Sequence, residues 1–335
     1  MTIAAALTLG GCSGGTGVTF LEEPSVPDLA WPSPPDSPRI RYLGSLTGPE
    51  DLGQTRSFFR RIWDFVAGGE ERRILQPYGV TVDAEGRIYV CDSAQRSVHI
   101  FDVERRDYRV IRGPSGEGFR FPVGVAVAGD RVFISDSEAA RVGAYQRDGD
   151  LDFSIEGDLV RPSGLAVDSV RGLLYVADPG RHEVLVYDLD GRFIRAFGGR
   201  GGEPGRFNFP TNVAVAPDGR LLVTDALNFR VQIFGVDGQV ERVFGDLGDG
   251  LGDLARPKGI GLDSEGHVYV VEGLYDVVNV YEEDGRHLLT FGGPGVSPGQ
   301  FWLATGLAMD ARDRIYVADS YNGRIQVFQY LGPTP

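Results

Sequence analysis

One phrase recurs six times along the chain: an apolar strand, a turn, a second apolar strand ending in Asp or Glu, then a third strand. The copies read PYGVTVDAEGRIYVCD (77–92), PVGVAVAGDRVFISD (122–136), PSGLAVDSVRGLLYVAD (162–178), PTNVAVAPDGRLLVTD (210–225), PKGIGLDSEGHVYVVE (257–272) and ATGLAMDARDRIYVAD (304–319). Their acidic ends are spaced 44, 42, 47, 47 and 47 residues apart. A strand-rich period of this length specifies a propeller or an array, because a single unit cannot bury both of its faces.

The fourth copy shows how one unit folds. Asn212 to Ala216 is an inner strand, Pro217-Asp218-Gly219 a turn, and Leu221 to Thr224 a second strand. After a longer turn at 225–229 come Val231 to Phe234 and, beyond a second tight turn, Val240 to Phe244. Apolar runs broken by Asp-Gly turns are hairpin signals, so each unit reads as four antiparallel strands. The blocks PTNVAVAPDGRLLVTDALNFRVQIF and ATGLAMDARDRIYVADSYNGRIQVF resemble the NHL-repeat family. The resemblance covers about residues 76–330 and implies an all-β, six-bladed propeller around a central channel. The last copy stops at its third strand, 324–330. Residues 39–46, RIRYLGSL, form a spare strand upstream and are expected to complete that blade and close the ring.

The N-terminus reads as an address. The apolar run IAAALTL (3–9) leads into LGGC (9–12), which resembles a bacterial lipobox. That resemblance implies a signal peptide at 1–11, cleavage before Cys12 and its acylation, and a bacterial cell-envelope location on a periplasmic or outer-membrane surface. Residues 22–38 carry six Pro. Proline stiffens a chain and removes donors, so 12–38 reads as a lipid-anchored tether. The alternative is a strap lying on the body through Trp31. The propeller domain then spans 39–332. Within it RSFFRRIWDFV (56–66) has the pattern of an amphipathic helix, with Phe58, Phe59, Ile62, Trp63 and Val66 on one face. It caps the propeller or, together with the lipid, lies on the membrane.

Net charge is −14, from 33 basic and 47 acidic residues. Such a field repels polyanions and argues against a nucleic-acid partner. Two cysteines, Cys12 and Cys91, cannot make a disulfide scaffold.

The recurring acids, in step with the blades, read as structural acceptors for backbone N–H groups, with Arg141, Arg230 and Arg324 as pairing partners. Function is sought where copies depart from their sisters. The third copy carries Arg181 and His182 after its acid; the fifth has Glu272 for Asp, then Tyr275 and Asp276. The second residue of each phrase varies: Tyr78, Val123, Ser163, Thr211, Lys258, Thr305. These positions should line the channel mouth, flanked by Arg161, Arg256 and Trp302, with Asn212 nearby. A cleft of Tyr78, Arg161, Lys258 and Trp302 suits an anionic or aromatic ligand. His99, His182, His267 and His287 fall at different blade positions, which argues against a histidine zinc site. With no nucleophile signature and no cofactor motif, the expected role is a binding or assembly platform for an envelope protein, peptide or glycan. The alternative is a metal-dependent lyase or hydrolase working in the channel.

Overall fold

The computed structural model describes residues 28–53 and 73–332. The signal peptide, Cys12 and the helix expected at 56–66 lie outside the described residues. Six antiparallel sheets follow one another, each a blade whose strands run from the axis outward. Blade one is Pro77–Val82, Ile88–Asp92, Ser97–Asp102 and Asp107–Ile111. Blade four, Pro210–Val215, Leu221–Asp225, Arg230–Phe234 and Val240–Phe244, matches its sequence reading to within two residues at each boundary. Tight turns join first to second strands, and in blade one Asp83 builds the turn. Its Oδ1 accepts the amides of Glu85 and Arg87, while Gly86 supplies the left-handed residue at φ 79°.

The buried residues sort by interface. Tyr89 and Cys91 of blade one pack with Val125, Ile134 and Tyr145 of blade two. Equivalent clusters fill each of the other five junctions, the last joining Ala318 and Ile325 of blade six to Val80 and Val90 of blade one. Second strands are buried along nearly their whole length because both faces meet a neighbouring blade. Fourth strands face water on one side.

Toward the axis the sheets approach so closely that backbone meets backbone. A methyl group added at Gly124 would be driven into the carbonyl oxygen of Ser163, and one at Gly306 into that of Tyr78. At Gly164 it would lie 2.6 Å from Asn212 Cα, and at Gly259 2.5 Å from Leu307 N. The glycine of the repeated phrase therefore serves the packing between blades in five of the six copies, the fourth carrying Asn212 in its place.

Ile40–Leu46 runs antiparallel to Arg324–Tyr330, from Ile40 opposite Tyr330 to Leu46 opposite Ile325, and completes blade six as the sequence implied. Ala30–Trp31 adds a short fifth strand outside it. From Asp28 onward the Pro-rich segment is thus a strap on the body, the second of its two sequence readings. The Trp31 ring sits 5.8 Å from Phe328 and 6.0 Å from Phe291.

Replacing Gly306 by Ala should lower stability by about 1–3 kcal/mol, the usual cost of overpacking. Gly266→Ala on a hairpin, where the added methyl meets nothing within 4 Å, separates backbone strain from inter-blade collision. Urea titration of both variants is the check; a smaller loss at Gly306 than at Gly266 would contradict the packing argument.

Candidate functional site at the channel mouth

Antiparallel strands put two different surfaces at the two ends of the channel. One end carries the tight turns of the hairpins. Charges there are paired between blades: Arg147 with Glu85 at 3.5 Å, Arg131 with Asp190 at 3.3 Å, Arg220 with Glu283 at 2.9 Å. The Ser264 hydroxyl donates to Asp313 at 2.7 Å across the blade five–six junction. The other end, the mouth, carries the starts of the first strands, the ends of the second strands and the crossover loops between blades.

The recurring acid shapes that mouth. Asp178 accepts the amides of Val160 at 2.7 Å and Arg161 at 2.9 Å, as well as that of Gly180 in the turn that follows it. Asp92 does the same for Leu75, Gln76 and Gln95, and Glu272 for Ala255, Arg256 and Leu274. The acid therefore ties down the following turn, as its position suggested, and also the loop leading into its own blade's first strand. That second partner lies about sixteen residues upstream and had no local signal. Arg230 and Arg324 pair with Asp225 and Asp319 at 2.9 and 2.7 Å.

His182 and Asp276 occupy equivalent places, both left-handed at φ 57° and 55°. His182 Nδ1 accepts the amide of Phe209, 3.2 Å away in the loop entering blade four. Asp276 Oδ1 accepts the amide of Leu303 at 2.7 Å ahead of blade six. Arg181 is held by Glu183 at 2.8 Å and by the Asp158 carbonyl at 3.0 Å. These sequence candidates lie on the mouth side, but their polar atoms are engaged in joining loops and blades.

The second residues of the phrase stand at the starts of the first strands, nearer the axis. Tyr78 from blade one packs its ring edge-on to Phe121, 6.3 Å between centroids. Burial pushes its phenol above the ordinary range, and the charges of Arg161 and Arg256 pull against that rise. Side chains of blades one, three and five thus share one electrostatic environment. Lys258 sits two residues past Arg256. Burial, reinforced by Arg256, lowers its ammonium from 10.5 to about 8, with Asp276 and Glu272 opposing the shift. Its aliphatic stem lies across Gly273, where an added methyl would come 2.8 Å from Cε. Among the described residues, no carboxylate lies within ion-pair distance of Arg161, Arg256 or Lys258. The outer rim is apolar: Trp302, Tyr275, Leu274 and Leu75 are exposed, and Trp302 meets exposed Tyr321 edge-on at 5.6 Å. Asn212 directs its Oδ1 toward Gly164, and its backbone N–H donates to the Thr224 hydroxyl at 3.0 Å.

The family model for the NHL repeat matches residues 159–187, 207–234 and 301–328, the segments of blades three, four and six. The chain is an NHL-repeat six-bladed propeller. No curated protein matches it. Among solved structures it is similar to a streptogramin B lyase, with TM-score 0.58 and 12% identity over 76% of this chain and 93% of that one. It is similar as well to Kuenenia stuttgartiensis hydrazine synthase (0.56, 12%, 78% and 97%) and to a chain of a nidogen/laminin complex (0.56, 18%, 73% and 88%). At such identities the likeness is one of fold.

In this NHL-repeat propeller each histidine has its own partner. His99 meets the Tyr108 hydroxyl at 2.6 Å, His267 the Asp263 carboxylate at 2.7 Å and His287 the Thr290 hydroxyl at 2.9 Å, while His182 joins blades three and four. Among the described residues no three His, Cys, Asp or Glu side chains gather as metal ligands do.

The lowered Lys258 value has a stability consequence. The folded state holds its proton more weakly than the unfolded chain, so below pH 8 the charged amine costs stability. The cost shrinks as pH rises from about 8 to 10.5. Lys258→Met should therefore stabilise the protein by about 1–3 kcal/mol at pH 7, and the gain should fade by pH 10.5. Denaturant titrations at the two pH values test this; an unchanged gain would contradict it.

Proposed function

We propose that this protein is a lipid-anchored platform of the bacterial cell envelope that binds a protein, peptide or glycan partner on the mouth face of its propeller. The observation that carries the reading is the contrast between the two ends of the channel. Charges pair across blades at the hairpin end, whereas at the mouth Arg161, Arg256 and Lys258 have no ion-pair partner among the described residues. Three cations outside ion-pair distance of any described carboxylate, in a chain of net charge −14, favour an anionic group from outside. The apolar rim of Trp302, Tyr321 and Tyr275 supplies contact area of the kind that anchors partners. Support for the anchor is the LGGC run ending at Cys12.

The test is photocrosslinking in intact cells. A crosslinking residue at Trp302 should give a discrete adduct. One at Val170, exposed on the hairpin end, should not. Adding Arg161→Glu and Arg256→Glu should abolish the Trp302 adduct. Equal crosslinking from both ends would overturn the assignment of the binding face. Cys12→Ser should release the protein from the membrane fraction; retention would remove the lipid anchor from the proposal.

A further inference from the structure

Lys258 is the only lysine in the chain; all other members of the 33 Lys and Arg are arginines. The single amine stands at the start of blade five's first strand, half-buried in the channel mouth. Blade five has made room for it. The residue after the second-strand acid is Ser93, Ser137, Pro179, Ala226 and Ser320 in the other blades, and Gly273 here. In blade six the matching pair is Thr305 and Ser320, whose hydroxyls meet at 2.9 Å. In blade five that hydroxyl pair is replaced by a long side chain lying over a bare backbone.

Among the described residues no carboxylate salt-bridges the amine, although the charges of Asp276 and Glu272 reach it. Glu272 is engaged by the amides of Ala255, Arg256 and Leu274, and Asp276 by those of Leu303 and Ala304. Arg256 adds a like charge on the same strand entrance, and its field reaches Lys258. A desolvated lysine beside a second cation is how an amine nucleophile is prepared. Arginine, charged at every accessible pH, cannot serve in that way.

We propose that Lys258 captures small aldehydes or ketones bearing an anionic group, as a reversible imine in the channel mouth. This rests on the reading of the mouth as an anion site, since Arg161 and Arg256 would hold the carboxylate or phosphate while the amine meets the carbonyl. In its neutral form Nζ adds to the carbonyl carbon, forming the C–N bond. The C–O bond then breaks, and the oxygen leaves as water with the amine's two protons. Nothing is oxidised or reduced, and water reverses the step.

The experiment incubates the full-length protein with glyoxylate, or with propionaldehyde as a neutral carbonyl, then reduces with borohydride and maps adducts by mass spectrometry. With one lysine, the chain's terminal amine is the only competing amine, and peptide mapping separates the two. The expected result is an adduct on Lys258 from glyoxylate exceeding that from propionaldehyde by about tenfold, the scale of one charge-assisted hydrogen bond. Lys258→Arg, which keeps the charge, should abolish it, and Arg161→Gln with Arg256→Gln should remove the preference for glyoxylate. Thermal unfolding with inorganic phosphate runs alongside. No adduct at Lys258, with phosphate still stabilising wild type but not the Arg161→Gln/Arg256→Gln variant, overturns imine capture and leaves the anion site standing. Equal adducts from both carbonyls overturn the anionic preference and the anion site together. No adduct and no phosphate effect overturns both.

Discussion

The inner strands of six blades can share one axis only if their backbones nearly touch. Glycine in the repeated phrase makes that approach possible. A methyl group at Gly124 or Gly306 would collide with a carbonyl of the next blade. Once the inner strands are that close, the second and third strands of adjacent blades stack face to face, and the apolar clusters fill the junctions between them. The core is thus a ring of interfaces rather than a single centre. Its closure by Ile40–Leu46 beside Arg324–Tyr330 joins segments some 290 residues apart and gives blade six its fourth strand.

The same ring decides what the two ends of the channel present. The hairpin end is a run of tight Asp-bearing turns whose charges find partners in adjacent blades. At the mouth, carboxylates are consumed by backbone amides: Asp92, Asp178 and Glu272 hold the loops, and Asp276 joins blades five and six. Arg181 pairs with Glu183 there, whereas Arg161, Arg256 and Lys258 lie outside ion-pair distance of every described carboxylate. The loop-holding carboxylates keep their charge while they hold the loops, and those of Asp276 and Glu272 act on Lys258.

Much of this was legible in the sequence. The period fixed blade number, the Asp-Gly turns fixed the hairpins, and the truncated last copy beside the spare strand 39–46 announced the closure. Tyr78, Arg161 and Lys258 were singled out as candidates by comparing copies, since a residue that breaks a repeat is not needed by the repeat. The same comparison singled out Arg181 and His182, and the structure gives both a local structural bond: His182 receives the Phe209 amide, and Arg181 bonds to Glu183. A departure from the repeat shows that a position is special without showing whether a ligand or a neighbouring blade makes it so. Trp31 illustrates a further limit. Its surroundings read equally as tether or strap, and only its contacts with Phe291 and Phe328 distinguish them.

By itself, then, the sequence determined what is periodic: strand order, blade count, turn chemistry and the glycine that lets blades meet. These are local properties repeated, and repetition makes a weak local signal strong. Tertiary structure alone decided which carboxylates are engaged and which cations are not. That depends on loops about sixteen residues away and on side chains from blades one, three and five meeting around one axis. The setting of Lys258 belongs to the second kind. Its lone place in the composition is written in the chain, but the bare Gly273 beneath it and the occupied acids around it exist only once the ring has closed.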